Sequence, residues 1–156
     1  MNSENEILTK LATRTISYFK DELQLNIDDK FEISEIDKIT YLDISTLISL
    51  SNGMSGTVGM SVSNELAYSM VEGFIFGEID REELEELSSE NVAETLNITL
   101  GNILKELDVV KRGMTIDIST PYTMHNSVSI TKKKNGTMLL CIIKSNDQTV
   151  MLSYFV

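Results

Sequence analysis

The chain has 156 residues, 42% of them hydrophobic, and carries a formal net charge of −11 from 24 acidic and 13 basic side chains. That length and apolar content suffice for one compact domain, 1–156, and a single proline with no low-complexity tract leaves no linker to divide it. The acidic balance excludes nucleic acid and anionic membrane as main partners. The apolar runs are too short to span a bilayer, the N-terminus has no signal-peptide pattern, and the lone Cys141 fits a reducing compartment, so the expected location is cytoplasmic.

Ile7, Leu8, Leu11, Ile16, Phe19 and Leu23 recur mostly at helical spacing and predict a helix over 4–24. Residues 25–37 are acidic and loop-like, with room for a short strand. The β-branched run 43–51 predicts a strand, Asn52-Gly53 a turn, and the alternating run 57–63 the returning strand. Asn64 is the expected cap of a helix over 65–76 that ends near Gly77. Asp80 with Glu83 resembles a capping box for a long helix reaching about Asp108, with Gly113 as the break. Strands are expected at 114–119, 127–133, 137–144 and 149–155, the last pairs joined by turns at Asn135-Gly136 and 145–148 as an antiparallel meander. The fold class is therefore α+β: an antiparallel sheet of about five or six strands with long helices packed on one face.

The most informative segment is 90–105, "ENVAETLNITLGNILK". At about 100° per residue, Glu90, Glu94, Asn97 and Gly101 form one stripe of the long helix. The apolar positions Val92, Leu96, Leu100, Ile103, Leu104 and Leu107 centre roughly 110° away. The helix thus offers a core face and, separately, a carboxylate, a carboxamide and a glycine that would let another molecule approach closely.

The run "ETLNITLGN" resembles the helix of the CheX/CheC chemotaxis phosphatases, which carries Glu-x-x-Asn followed by a small residue, Gly and Asn. The run "GMSGTVGMSVSNELAYSM" resembles that family's Gly-rich turn, strand and helix, and Pro121 lies near its downstream proline. A single Glu-x-x-Asn site is similar to CheX rather than to the two-site CheC proteins. Two departures stand out: Glu90 occupies a position where the family usually has Asp or Ser, and residues 98–120 separate Asn97 from Pro121, one residue more than the family spacing.

The resemblance implies a CheX/CheC-like fold, a homodimer that joins the sheets of two subunits, and a phosphatase acting on the aspartyl phosphate of a response-regulator receiver domain of the CheY type. In that chemistry an attacking water must be held in line behind phosphorus, and little covalent work falls on the protein. A carboxamide suits this chemistry because its oxygen accepts from the water, its NH₂ donates to a phosphoryl oxygen, and it adds no negative charge. The resemblance gives this role to Asn97 and gives Glu94 an intermolecular ion pair with the receiver lysine, with Glu90, Gly101, Asn102 and Pro121 at the partner-binding surface. No cofactor of the chain's own is implied; the Mg²⁺ is expected on the receiver. The alternative is a non-enzymatic module of the same fold that binds a receiver or another signalling protein.

The remaining chemistry-bearing residues have plainer readings. His125, the one histidine, is expected in a loop and cannot alone supply a His-based metal site or a Ser-His relay. Cys141, within "MLLCII", is expected to be a buried thiol, and Lys132–Lys134 to be a solvated hairpin tip.

Overall fold

A computed structural model of the chain describes residues 2–156. The first helix, α1 (Ser3–Asp21), starts where the Asn2 side chain accepts the Asn5 N–H at 2.8 Å. It buries Ile7, Leu8, Leu11, Ala12, Ile16 and Phe19. Three short strands and two long ones follow as β1 (Glu32–Glu35), β2 (Lys38–Thr40), β3 (Ile44–Asn52), β4 (Gly56–Val62) and, after the helices, β5 (Ile116–Ile118). The helices are α2 (Asn64–Glu72), α3 (Arg81–Ile103) and α4 (Asp108–Lys111). The chain closes with β6 (Tyr122–His125), β7 (Ser129–Thr131), β8 (Met138–Ser145) and β9 (Gln148–Phe155).

Seven strands form one antiparallel sheet in the order β1-β8-β9-β4-β3, and the far side of β3 is shared by β5 and β6. Alternation sorts the sheet's side chains. Ile44, Ile48, Val58, Met60, Cys141, Ile143, Val150 and Leu152 point to the face covered by α1, α2 and α3 and make the main core. Met138, Met151 and Leu47 point the other way, where the separate β2–β7 ribbon brings Ile39 and Tyr41 over them. Gly59 permits this closeness: a Cβ there would lie 2.6 Å from Ser153 Oγ and 2.8 Å from Leu47 Cδ2. The Tyr41 hydroxyl meets Ser153 Oγ at 2.9 Å, which satisfies both buried groups.

The α+β class, the helices on one face and the two-residue turn between β8 and β9 match the sequence reading. Several local expectations need correction. Ser63, not Asn64, caps α2, accepting the Leu66 N–H at 3.1 Å, while the Asn64 N–H goes to Asp43 Oδ2 at 2.9 Å. That helix ends at Glu72 rather than 76, where Phe74 and Ile75 turn their N–H groups back to Val71 and Glu72. The long helix ends at Ile103, followed by a tighter 3₁₀ turn; Leu107 is extended (φ −74°, ψ 141°), which lets it swing into the core. The strands around Asn135-Gly136 do not form a hairpin with each other: β7 pairs with β2, and β8 with β1 and β9. Two short strands, β2 and β6, have no counterpart in the sequence reading, and His125 closes β6 instead of lying in a loop.

Candidate functional site

Helix α3 starts at Asp80, whose carboxylate accepts the Glu83 N–H at 2.9 Å. Its buried face is broader than its apolar residues suggest. Beside Val92, Leu96, Leu100 and Ile103, it includes Ser88, Thr95 and Thr99 at 0% exposure. Each of these hydroxyls donates to the carbonyl four residues earlier, at 2.7 Å in all three cases, so polar side chains enter the core at little cost. The added threonines lie on the side away from Glu94 and Asn97. They turn the Glu90–Glu94–Asn97–Gly101 stripe roughly opposite the core.

On that stripe Glu90, Glu94 and Gly101 are exposed and Asn97 is half-buried. Among the described residues, neither Glu94 nor Asn97 has a side-chain hydrogen-bond or ion-pair partner, so both are free to meet another molecule. A Cβ built on Gly101 would find nothing within 4 Å, which leaves a clear approach beside Asn97. Asn102 stands apart from the stripe, on the flank facing α1, and its Oδ1 accepts from Arg14 Nε at 2.9 Å.

Pro121 is positioned by an irregularity in the sheet. Leu50 pairs with Ile118 and Leu47 with Tyr122, so three residues, 119–121, oppose only two, Ile48 and Ser49. This is a β-bulge, and Pro121, which has no N–H to give to a ladder, is well suited to it. Ser119 anchors the bulge by accepting the Ser49 N–H on its Oγ at 2.9 Å and returning its own N–H to Ser49 O at 2.9 Å.

Beyond the bulge, β6 runs antiparallel to α3. His125 Nε2 lies 3.5 Å from Ser89 Oγ, and Thr123 lines an open groove of about 460 Å³ with Glu86, Glu90 and Ala93. His125 with Ser89 and Thr123 with Ala93 set β6 alongside α3, and Pro121 lies in the bulge just before β6. Sequence reasoning missed Ser89, Thr123 and His125 as groove residues. No motif marks them, and only the sheet pairing carries them to α3.

Other reactive groups are held inert. Burial pushes the Cys141 thiol up to about 12 and moves the Tyr41 hydroxyl upward despite its bond to Ser153; Tyr154 rises to about 12 through burial and then the charge of Glu4. A thiol so raised stays protonated near neutrality and is no nucleophile. Among the described residues, no group of three or more His, Cys, Asp or Glu side chains is placed to hold a metal ion, and no helix is long and apolar enough to cross a membrane.

The family model for "Chemotaxis phosphatase CheX" matches residues 44–144, a span that contains the whole stripe and Pro121. No curated protein matches the chain. Among solved structures, the fold is similar to the chemotaxis protein CheX of Vibrio vulnificus, with a TM-score of 0.75, 18% identity, and 97% of this chain and 99% of that one covered. It is similar to CheX of Desulfovibrio desulfuricans at TM-score 0.74 and 14% identity, covering 96% and 97% of the two chains. It is also similar to a Borrelia burgdorferi structure, a complex of CheX with CheY, BeF₃ and Mg²⁺, at TM-score 0.69 and 18% identity, covering 95% and 96%.

Proposed function

The chain belongs to the CheX chemotaxis phosphatase family, and from that membership we propose that it hydrolyses the aspartyl phosphate of a CheY-like receiver domain, using Asn97 to hold the attacking water. The observation that carries the proposal is the state of the stripe. Glu94 and Asn97 have no partners among the described residues, lie one turn apart on a helix anchored by its core face, and have open space beside them at Gly101. The Borrelia burgdorferi structure, in which a CheX is complexed with CheY, supports a receiver as the partner class.

Asn97 accepts a hydrogen bond from the water through its oxygen and donates to a phosphoryl oxygen through its NH₂, which fixes attack geometry without adding charge. Such positioning is worth roughly 10²- to 10⁴-fold in rate. Glu94 pairs with a lysine of the receiver and sets the register of docking; a desolvated pair of this kind governs dissociation and specificity more than encounter. Glu90 extends the acidic edge by one turn. Pro121, in the bulge just before β6, shapes the surface beside the groove against which the receiver seats. The receiver would hold the Mg²⁺ that neutralises phosphoryl charge.

The proposal is tested by following the decay of a phosphorylated receiver from the same cell, with wild-type protein, Asn97→Ala and Glu94→Lys. Loss of acceleration in Asn97→Ala with the fold retained supports the role of Asn97, and weakened binding in Glu94→Lys supports docking. Full activity in Asn97→Ala would refute the assignment. Binding that depends on phosphorylation, without hydrolysis by the wild type, would favour an interaction module.

A further inference from the structure

One end of the α3 surface departs from the acidic character of the rest. Lys10 and Arg14, one turn apart on α1, face Lys105 just past the end of α3; with Thr9, Thr13 and Ser17 they line an open groove of about 560 Å³. The groove contains a single acid, Glu106. The ion pairs among the described residues are Lys20–Asp29, Arg81–Glu85 and Lys132–Asp37, so Lys10, Arg14 and Lys105 are all unpaired there. In a chain with 24 acids for 13 bases, three cations gathered with one carboxylate among them leave a local positive site in a negative field.

One of the three is already held in place. Arg14 donates its Nε to Asn102 at 2.9 Å, and its guanidinium lies 5.7 Å from the centre of the Tyr18 ring. Its two terminal nitrogens have no protein acceptor among the described residues. A planar fork fixed in this way loses little further freedom on meeting a carboxylate. Lys105 follows Gly101 by four residues, so the groove begins where the open approach to Asn97 ends. At about 1.5 Å per residue to Ile103 and about 2 Å per residue over the 3₁₀ turn, Lys105 is roughly 17 Å along the axis from Glu94. That separation fits within the span of a small domain, so a partner seated on Glu94 and Asn97 that extends over the flank facing α1 also reaches the groove.

We infer that the Lys10–Arg14–Lys105 groove is a second docking subsite, which takes an acidic patch on the same receiver whose lysine meets Glu94. The inference rests on the receiver-facing reading of the stripe. The surface then has two ends of opposite sign, which fix the orientation of the partner. It also lets an acidic patch dock on a protein of net charge −11, through contacts shorter than the screening length of about 8 Å at physiological salt.

The test is steady-state dephosphorylation of the receiver at salt concentrations from about 0.05 to 0.3 M. It compares wild type with Lys10→Glu/Lys105→Glu, and with Lys133→Glu/Lys134→Glu, which makes the same charge change at the turn before β8. The groove variant is expected to raise KM about tenfold at low salt, to change kcat little, and to flatten the rise of KM with salt; the turn variant keeps wild-type behaviour. Equal KM and equal salt dependence in the two variants would overturn the inference. Binding of the beryllofluoride-treated receiver on an Asn97→Ala background separates this subsite from the catalytic proposal. A fall in affinity on adding the groove reversals supports the subsite whatever Asn97 does, and unchanged affinity overturns it.

Discussion

Gly101 separates stability from function within one residue. It lies in α3 with helical backbone, it is exposed, and a Cβ there would meet nothing within 4 Å. Glycine in a helix interior costs about 0.5–1 kcal/mol relative to alanine, through the freedom of the unfolded chain. Because Gly101 is two residues from the end of α3 at Ile103, the lower figure applies. For a chain of this size it corresponds to a rise of about 1–2 °C in Tm for Gly101→Ala. Gly101→Leu should fold as well, since the space around the site is empty. Its side chain, however, fills the approach beside Asn97, and a displacement of about 1 Å at a reacting centre can cost 10²-fold in rate. Thermal melting and receiver-phosphate decay, measured on both variants, give the two readings. The expected pattern is Tm at or above wild type in both, with activity lost steeply in Gly101→Leu and mildly in Gly101→Ala. A lowered Tm in Gly101→Ala would contradict the packing argument, and wild-type decay with Gly101→Leu would contradict the approach argument.

Deleting Thr120 removes the residue that makes 119–121 bulge against Ile48 and Ser49, so β5 and β6 would pair with β3 without interruption. The fold should persist, and because Pro121 stays beside Tyr122 while its spacing from Asn97 shortens to the one usual in the family, receiver dephosphorylation should stay near wild type; a tenfold loss would make the bulge itself part of the site. Alkaline pH should destabilise the protein. The folded state holds the Cys141 and Tyr154 protons up to about 12, against 9.0 and 10.0 for the ordinary groups, so the unfolded chain releases protons that the folded one keeps. Stability is therefore full below about pH 9 and declines as pH rises above it. Urea midpoints across that range test the sign: Cys141→Ala should soften the first part of the decline, and a flat midpoint in the wild type would contradict it.

The parts of the fold that can be read from sequence are those whose chemistry repeats. Helix α1 follows its apolar spacing, β3 and β4 follow β-branched alternation around Asn52-Gly53, and the β8–β9 hairpin turns at Asn146, which adopts φ 53°. The stripe on α3 is legible because Glu94, Asn97 and Gly101 share one side of a helix whose start is well marked. What escapes is set by pairing at a distance. Strand β6 has four residues and no distinctive composition, and only its ladder with β3 makes it a strand and brings Thr123 and His125 to α3. Thr95 and Thr99 look polar, yet they are buried because their hydroxyls bond the backbone within the helix. Apolar spacing alone overextends the helix to Asp108, because Leu107 continues it; in the fold Leu107 reaches the core by leaving the helix.

The proposed role of Asn97 is to place the water that dephosphorylates a receiver. The most direct measurement is the decay of a phosphorylated receiver from the same cell, with wild-type protein and with Asn97→Ala, each verified as folded. Acceleration is expected with the wild type and a return to about the uncatalysed rate in the variant, a fall on the order of 10²-fold or more. Equal acceleration by both proteins would contradict it.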